Sequence, residues 1–259
     1  MPRFAANLSM MFNEVPFLER FKAAAESGFS AVEFLFPYEY SPDEIAGKAK
    51  AAGVQIVLFN MPAGNWAAGE RGLTGLPGRE QDFREGVAKA LEYAVVLGVP
   101  RLHAMAGVAP AGVDRVACKA TLIANLKYAA AELAKHNLTL LLEAINTRDM
   151  PGFLVNTQKE SAEVCEAVGA PNMKMQMDLY HMQVMEGDLA TSLKRHASMC
   201  GHIQIAGCPE RHEPDTGEIR YEYLFKLLDE IGYPGWLGCE YRPVGKTTEG
   251  LRWLSAATR

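Results

Sequence analysis

The chain has 259 residues, of which 49% are hydrophobic and 22% charged, with a formal net charge of −5. This composition is typical of a soluble globular protein, and 31 acidic residues against 26 basic ones argue against a phosphate-neutralising surface for nucleic acid. No apolar stretch approaches the roughly 20 residues that cross a bilayer, and the N-terminus does not resemble a secretory signal, so we expect a cytoplasmic protein with no membrane partner.

Helical stretches and short apolar runs alternate along the chain. A first strand is predicted at residues 4–8, and seven later runs each follow a Gly or Asn, the residues that most easily form a left-handed helix cap. The caps are Gly28, Gly53, Gly98, Asn137, Gly169, Gly201 and Gly232, and the strands are residues 30–35, 54–59, 101–105, 138–143, 173–178, 202–205 and 236–240. Eight strands separated by helices predict an α/β fold, a single (βα)8 TIM barrel over residues 1–259 that forms one catalytic domain.

Two segments give more detail about the helices. Ser41 and Glu44 flank Pro42 at the spacing of a capping box, which predicts a helix start there. Further along, four apolar residues recur at helical spacing and predict the face that covers the sheet. These residues are Phe83, Val87, Leu91 and Val95.

A long glycine-rich segment at residues 64–78 follows the third strand. It lacks the register of a phosphate-binding GxGxxG or GxxxxGK[ST] turn, which disfavours an open doubly wound sheet. Loops of this length inside compact domains are usually functional, so we interpret the segment as a lid or substrate loop. Arg71 in this loop could hold a substrate carboxylate beside Glu70, although a salt-bridged loop would use the same residues.

In a (βα)8 barrel the catalytic side chains lie at the carboxyl ends of the strands. Four consecutive strands each end with an oxygen-bearing side chain: Glu143, Asp178, Gln204 and Glu240. A single carboxylate at a strand end could simply cap the next helix. Two Glu and one Asp on neighbouring strands would instead concentrate negative charge at the rim of the barrel, which requires a cation. Oxygen ligands suit Mg²⁺ or Mn²⁺ better than zinc, and the five cysteines contain no Cys-x-x-Cys pair for structural zinc or a disulfide framework.

Further polar residues are predicted at the same rim and are candidates for substrate binding. The fourth strand brings His103 to the rim, and Arg211 and His212 follow the seventh strand. His181 lies three residues after Asp178, which makes it the strongest histidine candidate. A single histidine is more often structural than catalytic, so these assignments depend on where the fold places the side chains.

From its first residues to its last, the chain resembles the hydroxypyruvate isomerase family of the xylose-isomerase-like TIM barrels. The segments that carry the resemblance are residues 65–72, 76–80, 145–152, 178–183 and 238–241. The resemblance implies that Glu143, Asp178, Gln204 and Glu240 bind a divalent metal. It also implies that Glu143 and Glu240 form the proton-transferring pair.

Two activities occur in that family. Residues 65–72 and 149–153 look more like enzymes that interconvert hydroxypyruvate and 2-hydroxy-3-oxopropanoate (tartronate semialdehyde), and this reaction is our working prediction. Residues 206–214 look more like enzymes that isomerise 2-oxotetronate to 3-oxotetronate, which is the alternative. An enediolate route, with the metal stabilising the developing charge, is expected, and a hydride shift is the competing route. Which glutamate is the base, and whether the chain forms a homo-oligomer, are left open.

Two other classes of function compete with a small-molecule isomerase. A barrel nuclease of the apurinic-endonuclease type shares the fold, and fold alone does not determine function. A multi-zinc nuclease site needs several histidine ligands, whereas the chain has only six histidines and a negative net charge. A non-catalytic sugar-acid binding protein would leave the two glutamates without a role.

Overall fold

In the computed structural model, which describes residues 2–257, eight parallel strands form a closed barrel. Each strand pairs with the next along the chain, and the first pairs with the last, so the sheet has no free edge. The strands are β1 (Arg3–Asn7), β2 (Ala31–Phe34), β3 (Gln55–Asn60), β4 (Arg101–His103), β5 (Thr139–Glu143), β6 (Met173–Asp178), β7 (Cys200–Ile205) and β8 (Trp236–Cys239). The predicted fold class is confirmed.

Helices cover the outside of the barrel. They are α1 (Phe17–Glu26), α2 (Pro42–Ala52), α3 (Glu80–Leu97), α4 (Arg115–Ala134), α5 (Gln158–Val168), α6 (Leu179–Met185), α7 (Leu189–His196), α8 (Tyr221–Glu230) and α9 (Arg252–Ala257). Short 3₁₀ helices lie at Trp66–Ala68 and Thr247–Gly250. Across residues 2–257, no helix is long and apolar enough to span a membrane.

Most of the predicted caps adopt the left-handed conformation, and the capping box of Ser41 and Glu44 is present. Gly201 is the exception, because it lies inside β7 and its φ is not positive. A Cβ at Gly201 would come within 2.7 Å of the Leu141 and Lys174 side chains. The glycine therefore lets neighbouring side chains pack against β7 and does not end a helix.

The predicted apolar face of α3 is correct at its start and wrong at its end. Phe83 and Val87 are buried, but Val95 is 60% exposed. Four helical residues cover about 400°, so each step of four rotates the side chain about 40° further around the axis. By the third step Val95 has left the covered face, and Tyr93 and Ala94 are buried there instead.

Strand register brings the polar strand ends to one mouth of the barrel. Asp178 pairs with Gln204, and Gln204 pairs with Gly238, two residues before Glu240. Glu143 pairs with Gln176 on the neighbouring strand β6. The side chains at the ends of β5 to β8 are thus held on rigid elements that meet at the barrel axis.

Candidate active site

The centre of this mouth is a buried cluster of acidic side chains. Ligand atoms of Glu143, Asp178 and His181 lie within 4.8 Å of one another. Glu240 joins the cluster through Arg211, whose Nη2 donates to Glu240 Oε1 at 2.7 Å and to Asp178 Oδ2 at 3.1 Å. The three carboxylates are at most 7% exposed. So much buried negative charge needs cations close by.

Arg211 supplies one of these cations. It lies in the loop after β7, is buried, and adopts a positive φ of 61°. Its Nε also donates to the Glu240 carbonyl oxygen at 3.3 Å, and its guanidinium lies over the Tyr180 ring at 5.0 Å. Burial opposes the charge of Arg211, but the carboxylates of Glu240, Asp178 and Glu143 outweigh it and raise its pKa.

One guanidinium does not fully compensate the cluster. Burial, followed by the charges of Glu240 and Asp178, raises the pKa of Glu143 well above its ordinary value. Burial raises the pKa of Glu240 to about 8, although Arg211 opposes this shift. Burial also raises the pKa of Asp178 against the effect of Arg211. These carboxylates would ionise more readily beside a cation whose charge density exceeds that of a guanidinium, such as a divalent metal ion.

The donor atoms fit a divalent metal. Glu143 Oε1 is buried and has no hydrogen-bond partner in the described part of the chain, so one carboxylate oxygen is available as a ligand. Glu143, Asp178 and Glu240 offer hard oxygen donors, the preference of Mg²⁺ and Mn²⁺. Gln204 is next to them, but its Nε2 donates to Glu240 Oε2 and its Oε1 accepts from Gln176 Nε2, so its amide would have to rotate for the oxygen to face a metal. His181 is an additional ligand candidate, which the sequence placed among the substrate-binding residues.

Burial disfavours the charged form of the two histidines beside the cluster, His181 and His103. Asn146 Nδ2 lies 2.6 Å from His181 Nδ1, which leaves His181 Nε2 to face Asp178 Oδ2 at 3.5 Å. Burial, followed by the Arg211 charge, lowers the pKa of His181 well below its ordinary value. His103 Nδ1 lies 3.3 Å from Asn60 Oδ1, and burial lowers its pKa to about 3. Both rings can hydrogen-bond a substrate oxygen without adding charge.

The remaining predicted substrate-binding residues make their contacts elsewhere. Glu70 forms an ion pair with Arg79, so the salt-bridged loop is the arrangement present. Arg71 stacks on Trp66 at 4.0 Å and donates to the Trp66 carbonyl oxygen at 2.9 Å. His212 Nδ1 lies 2.7 Å from the Arg242 carbonyl oxygen. Between residues 2 and 257, none of these three side chains makes a polar contact with the acidic cluster.

The glycine-rich loop divides into two parts. Gly72 has a φ of +121°, and a Cβ there would lie 2.3 Å from the Met105 carbonyl oxygen, so only glycine fits. Thr74 Oγ1 donates to the same oxygen at 2.7 Å, which fixes the second part against the segment that follows β4. In the first part, the Trp66 side chain is 39% exposed. A lid role is therefore compatible only with the segment before Gly72.

Sequence reasoning missed several polar residues inside the barrel. Glu33, Gln176 and His202 are buried, as are Asn7 and Asn146. A signal for Asn7, Glu33, Gln176 and His202 was present, because each is a polar residue that adjoins apolar residues in a predicted strand. Such a residue points to a buried polar network when its neighbours in the barrel are also polar.

Comparisons with known proteins agree with this geometry. A family model described as "Xylose isomerase-like TIM barrel" matches residues 21–257. The chain is 57% identical to a 2-oxo-tetronate isomerase of Cupriavidus necator and 48% identical to hydroxypyruvate isomerase of Escherichia coli, each over 98% of both chains. A crystal structure described as AP endonuclease, family 2, from Brucella melitensis is 54% identical, with a TM-score of 0.97 over 99% of both chains.

Proposed function

This chain belongs to the xylose isomerase-like TIM barrel family and is an isomerase of small hydroxy-oxo acids, and we propose that its substrate is 2-oxotetronate, which it converts to 3-oxotetronate. The observation that carries the substrate assignment is the 57% identity to a 2-oxo-tetronate isomerase over 98% of both chains. The resemblance of residues 206–214 to the tetronate enzymes supports it. We also propose that the whole barrel forms a single catalytic domain.

Interconversion of hydroxypyruvate and 2-hydroxy-3-oxopropanoate is the second candidate. It was the working prediction from the sequence, and the 48% identity to hydroxypyruvate isomerase of Escherichia coli supports it. Both substrates carry a carbonyl next to a hydroxyl-bearing carbon and a carboxylate. The same catalytic residues serve both reactions, so the choice between them depends on side chains that contact the rest of the substrate.

We further propose that Glu143, Asp178, Gln204 and Glu240 hold Mg²⁺ or Mn²⁺. The unpartnered Glu143 oxygen and the raised pKa values of the carboxylates support this assignment. A bound divalent metal would stabilise the negative charge that develops on the substrate oxygens during isomerisation. Arg211 would then be free to shift part of its hydrogen bonding to the substrate carboxylate.

Glu143 and Glu240 are proposed to move the proton. Isomerisation removes a proton from the carbon next to a carbonyl and returns one to the neighbouring carbon, through an enediolate. A buried glutamate with a raised pKa suits this task, because a general acid or base works best when its pKa lies near the working pH. The neutral rings of His103 and His181 would hydrogen-bond the substrate oxygens and orient them between the two glutamates.

Turnover in D₂O tests this proton route. We expect product recovered early in the reaction to contain deuterium at the carbon that receives the proton, because a carboxyl proton exchanges with solvent. NMR or mass spectrometry of the product measures the incorporation. Incorporation that is absent even after many turnovers of recycled product would favour a hydride shift between the two carbons, the competing route.

A comparison of kcat/KM for 2-oxotetronate and hydroxypyruvate tests the substrate. Metal-stripped protein is reloaded with Mg²⁺ or Mn²⁺, and product is followed by NMR. We expect 2-oxotetronate to be preferred by about tenfold or more, which corresponds to about 1.4 kcal/mol of transition-state discrimination. A tenfold preference for hydroxypyruvate would instead establish the three-carbon reaction. Activity without metal that reloading does not increase would contradict the metal assignment.

The same preparation tests the nuclease alternative raised by the description of the Brucella protein. Among residues 2–257, the group of side chains that could ligate a metal contains one histidine, His181, whereas a multi-zinc phosphodiesterase site requires several. We expect no incision of a duplex that contains an apurinic site, in the presence of Mg²⁺, Mn²⁺ or Zn²⁺. Efficient incision would show that the isomerase proposal is incomplete.

A further inference from the structure

The loop that follows β5 contacts one side of the His181 ring at the mouth of the barrel. His181 lies in α6, and Asn146 lies in the loop. His181 Nδ1 is 2.6 Å from the side-chain Nδ2 of Asn146 and 3.5 Å from the main-chain nitrogen of the same residue. Both residues are buried, so water does not compete for these contacts.

Two separate contacts make His181 Nδ1 a hydrogen-bond acceptor. The Asn146 main-chain N–H can only donate, although its contact is the longer one. The Asn146 side-chain amide is oriented by Asp149 and not by the ring. Asn146 Oδ1 accepts from the Asp149 main-chain N–H at 2.7 Å, and Asn146 Nδ2 donates to Asp149 Oδ2 at 3.2 Å. The second hydrogen of the amide nitrogen is therefore directed to His181 Nδ1.

The Asp149 carboxylate is itself surrounded by donors. The Tyr180 hydroxyl donates to Asp149 Oδ1 at 3.4 Å, and Arg211 Nη1 lies 3.7 Å from Asp149 Oδ2. These partners and Asn146 Nδ2 match an ionised carboxylate, which only accepts. If the Asn146 amide were reversed, its oxygen would face this carboxylate and its nitrogen would face the Asp149 main-chain N–H. Like groups would then oppose each other at both positions, so the amide has one favourable orientation.

The hydrogen of the His181 ring is consequently on the side of the acidic cluster. A ring whose Nδ1 accepts is neutral and carries its hydrogen on Nε2. His181 Nε2 lies 3.5 Å from Asp178 Oδ2 and 3.9 Å from Glu143 Oε1, both of which are acceptors. A histidine that ligates a metal through Nε2 shows the opposite pattern, because its Nδ1 almost always donates to a carboxylate, a carbonyl oxygen or water. The ring is thus arranged to donate a hydrogen bond into the site.

We propose that Asn146 is a positioning residue that holds His181 as a hydrogen-bond donor to the substrate and prevents its Nε2 from becoming a metal ligand. This inference rests on the proposed isomerase function. Isomerisation places negative charge on the substrate oxygens, and an N–H group already directed at such an oxygen stabilises that charge. Asp149 acts one step further away, because it fixes the Asn146 amide. His181 therefore serves the substrate, although it lies close enough to the carboxylates to ligate a metal with them.

The first test determines which ring nitrogen of His181 carries the hydrogen. Long-range ¹H–¹⁵N NMR of the whole metal-free protein, labelled with ¹⁵N-histidine, distinguishes protonated from unprotonated ring nitrogens, and His181→Gln identifies the signals. We expect Nδ1 to be unprotonated and Nε2 to be protonated. The exchange variant, Asn146→Asp combined with Asp149→Asn, conserves net charge but places a carboxylate against Nδ1, so Nδ1 should gain a proton. Asp149→Asn alone is the control and should leave Nδ1 unprotonated, because the main-chain N–H still orients the Asn146 amide.

Turnover and Mn²⁺ binding separate positioning from structural support. In the exchange variant we expect kcat to fall by about 10²-fold with a smaller change in KM, the usual scale for losing one donor to the developing charge. Its Mn²⁺ affinity, measured by isothermal titration calorimetry, should equal or exceed that of the parent, because no ligand is lost. His181→Gln should also bind Mn²⁺ like the parent, and a tenfold loss there would make His181 a ligand and overturn the proposal. Parallel losses of turnover and Mn²⁺ affinity in the exchange variant would indicate a merely structural role.

The outcomes distinguish the inference from the function on which it rests. If the parent turns over neither 2-oxotetronate nor hydroxypyruvate, the proposed function fails, whichever nitrogen carries the hydrogen. If the parent is an active isomerase but Nδ1 is protonated, or stays unprotonated in the exchange variant, only the positioning role is overturned. Circular dichroism identifies variants that do not fold. If the exchange variant is among them, Asn146→Ala replaces it, and an unchanged His181 spectrum with unchanged kcat in that variant would overturn the positioning role.

Discussion

Replacing Glu143 or Glu240 by Gln is expected to lower kcat/KM by about 10³-fold or more in either variant, because general acid–base catalysis alone contributes about 10²- to 10⁴-fold. An amide cannot take up or return the proton, and each replacement also removes a negative charge from the proposed metal site. The measurement is steady-state turnover of 2-oxotetronate and hydroxypyruvate with saturating Mg²⁺.

The barrel itself should survive both changes. Burial raises the pKa of each glutamate in the folded protein, so an ionised glutamate at these positions destabilises the fold at neutral pH. A neutral glutamine does not carry this cost. Without metal, both variants should therefore melt at the parent temperature or above it. Glu92→Gln, which changes an exposed glutamate on α3, serves as the control for the substitution itself. If either variant kept more than a tenth of the parent activity, the catalytic role of that glutamate would be wrong.

Replacing Arg211 by Met is expected to affect both stability and activity. Arg211 is 5% exposed and pairs with Asp178 and Glu240, and removing one partner of a buried ion pair typically costs about 3–5 kcal/mol. We expect this loss in urea denaturation with EDTA present. Because Mg²⁺ at the proposed site would compensate the charge of the same carboxylates, it should stabilise the variant more than it stabilises the parent.

Activity should not return with the stability. At saturating Mg²⁺, kcat/KM of Arg211→Met should remain at least about 10²-fold below that of the parent, the scale of losing a charged contact to the substrate. Arg211→Lys keeps the charge but not the planar fork, so it should recover more stability than activity. Equal stabilisation of parent and Arg211→Met by Mg²⁺ would show that the guanidinium and the metal do not compensate the same carboxylates.

The sequence was sufficient to predict the barrel because its signals are local. A helix cap followed by an apolar run specifies a strand without reference to the rest of the chain, and the C-terminal ends of parallel strands share one mouth. This rule alone selected Glu143, Asp178, Gln204 and Glu240, and the strand register brings these four residues to one mouth of the barrel. The rule was wrong at Gly201, where a glycine inside a strand makes room for side chains of other elements.

What the sequence did not reveal depends on contacts between distant segments. Glu33 looks like an ordinary strand residue until β7 and β8 bring Gln204 and Gly238 beside it. Arg211 was predicted at the rim, but its position between Asp178 and Glu240 follows from the path of one loop. Arg71 carries the right charge for a substrate carboxylate, yet its contacts are with Trp66, and nothing in local sequence distinguishes these two arrangements.

The pairing of β1 with β8 has a consequence for how the molecule assembles. Arg3 is aligned with Trp236, and Phe4 of β1 packs edge-on against Trp253 of α9 at 5.2 Å. Contacts between such remote parts of a chain form slowly, because the intervening polypeptide must first be ordered. Glu240 immediately follows the strand that completes this seam. The position of Glu240 in the mouth therefore depends on closure of the ring, so a chain in which β1 and β8 have not yet paired lacks one of the four proposed metal ligands.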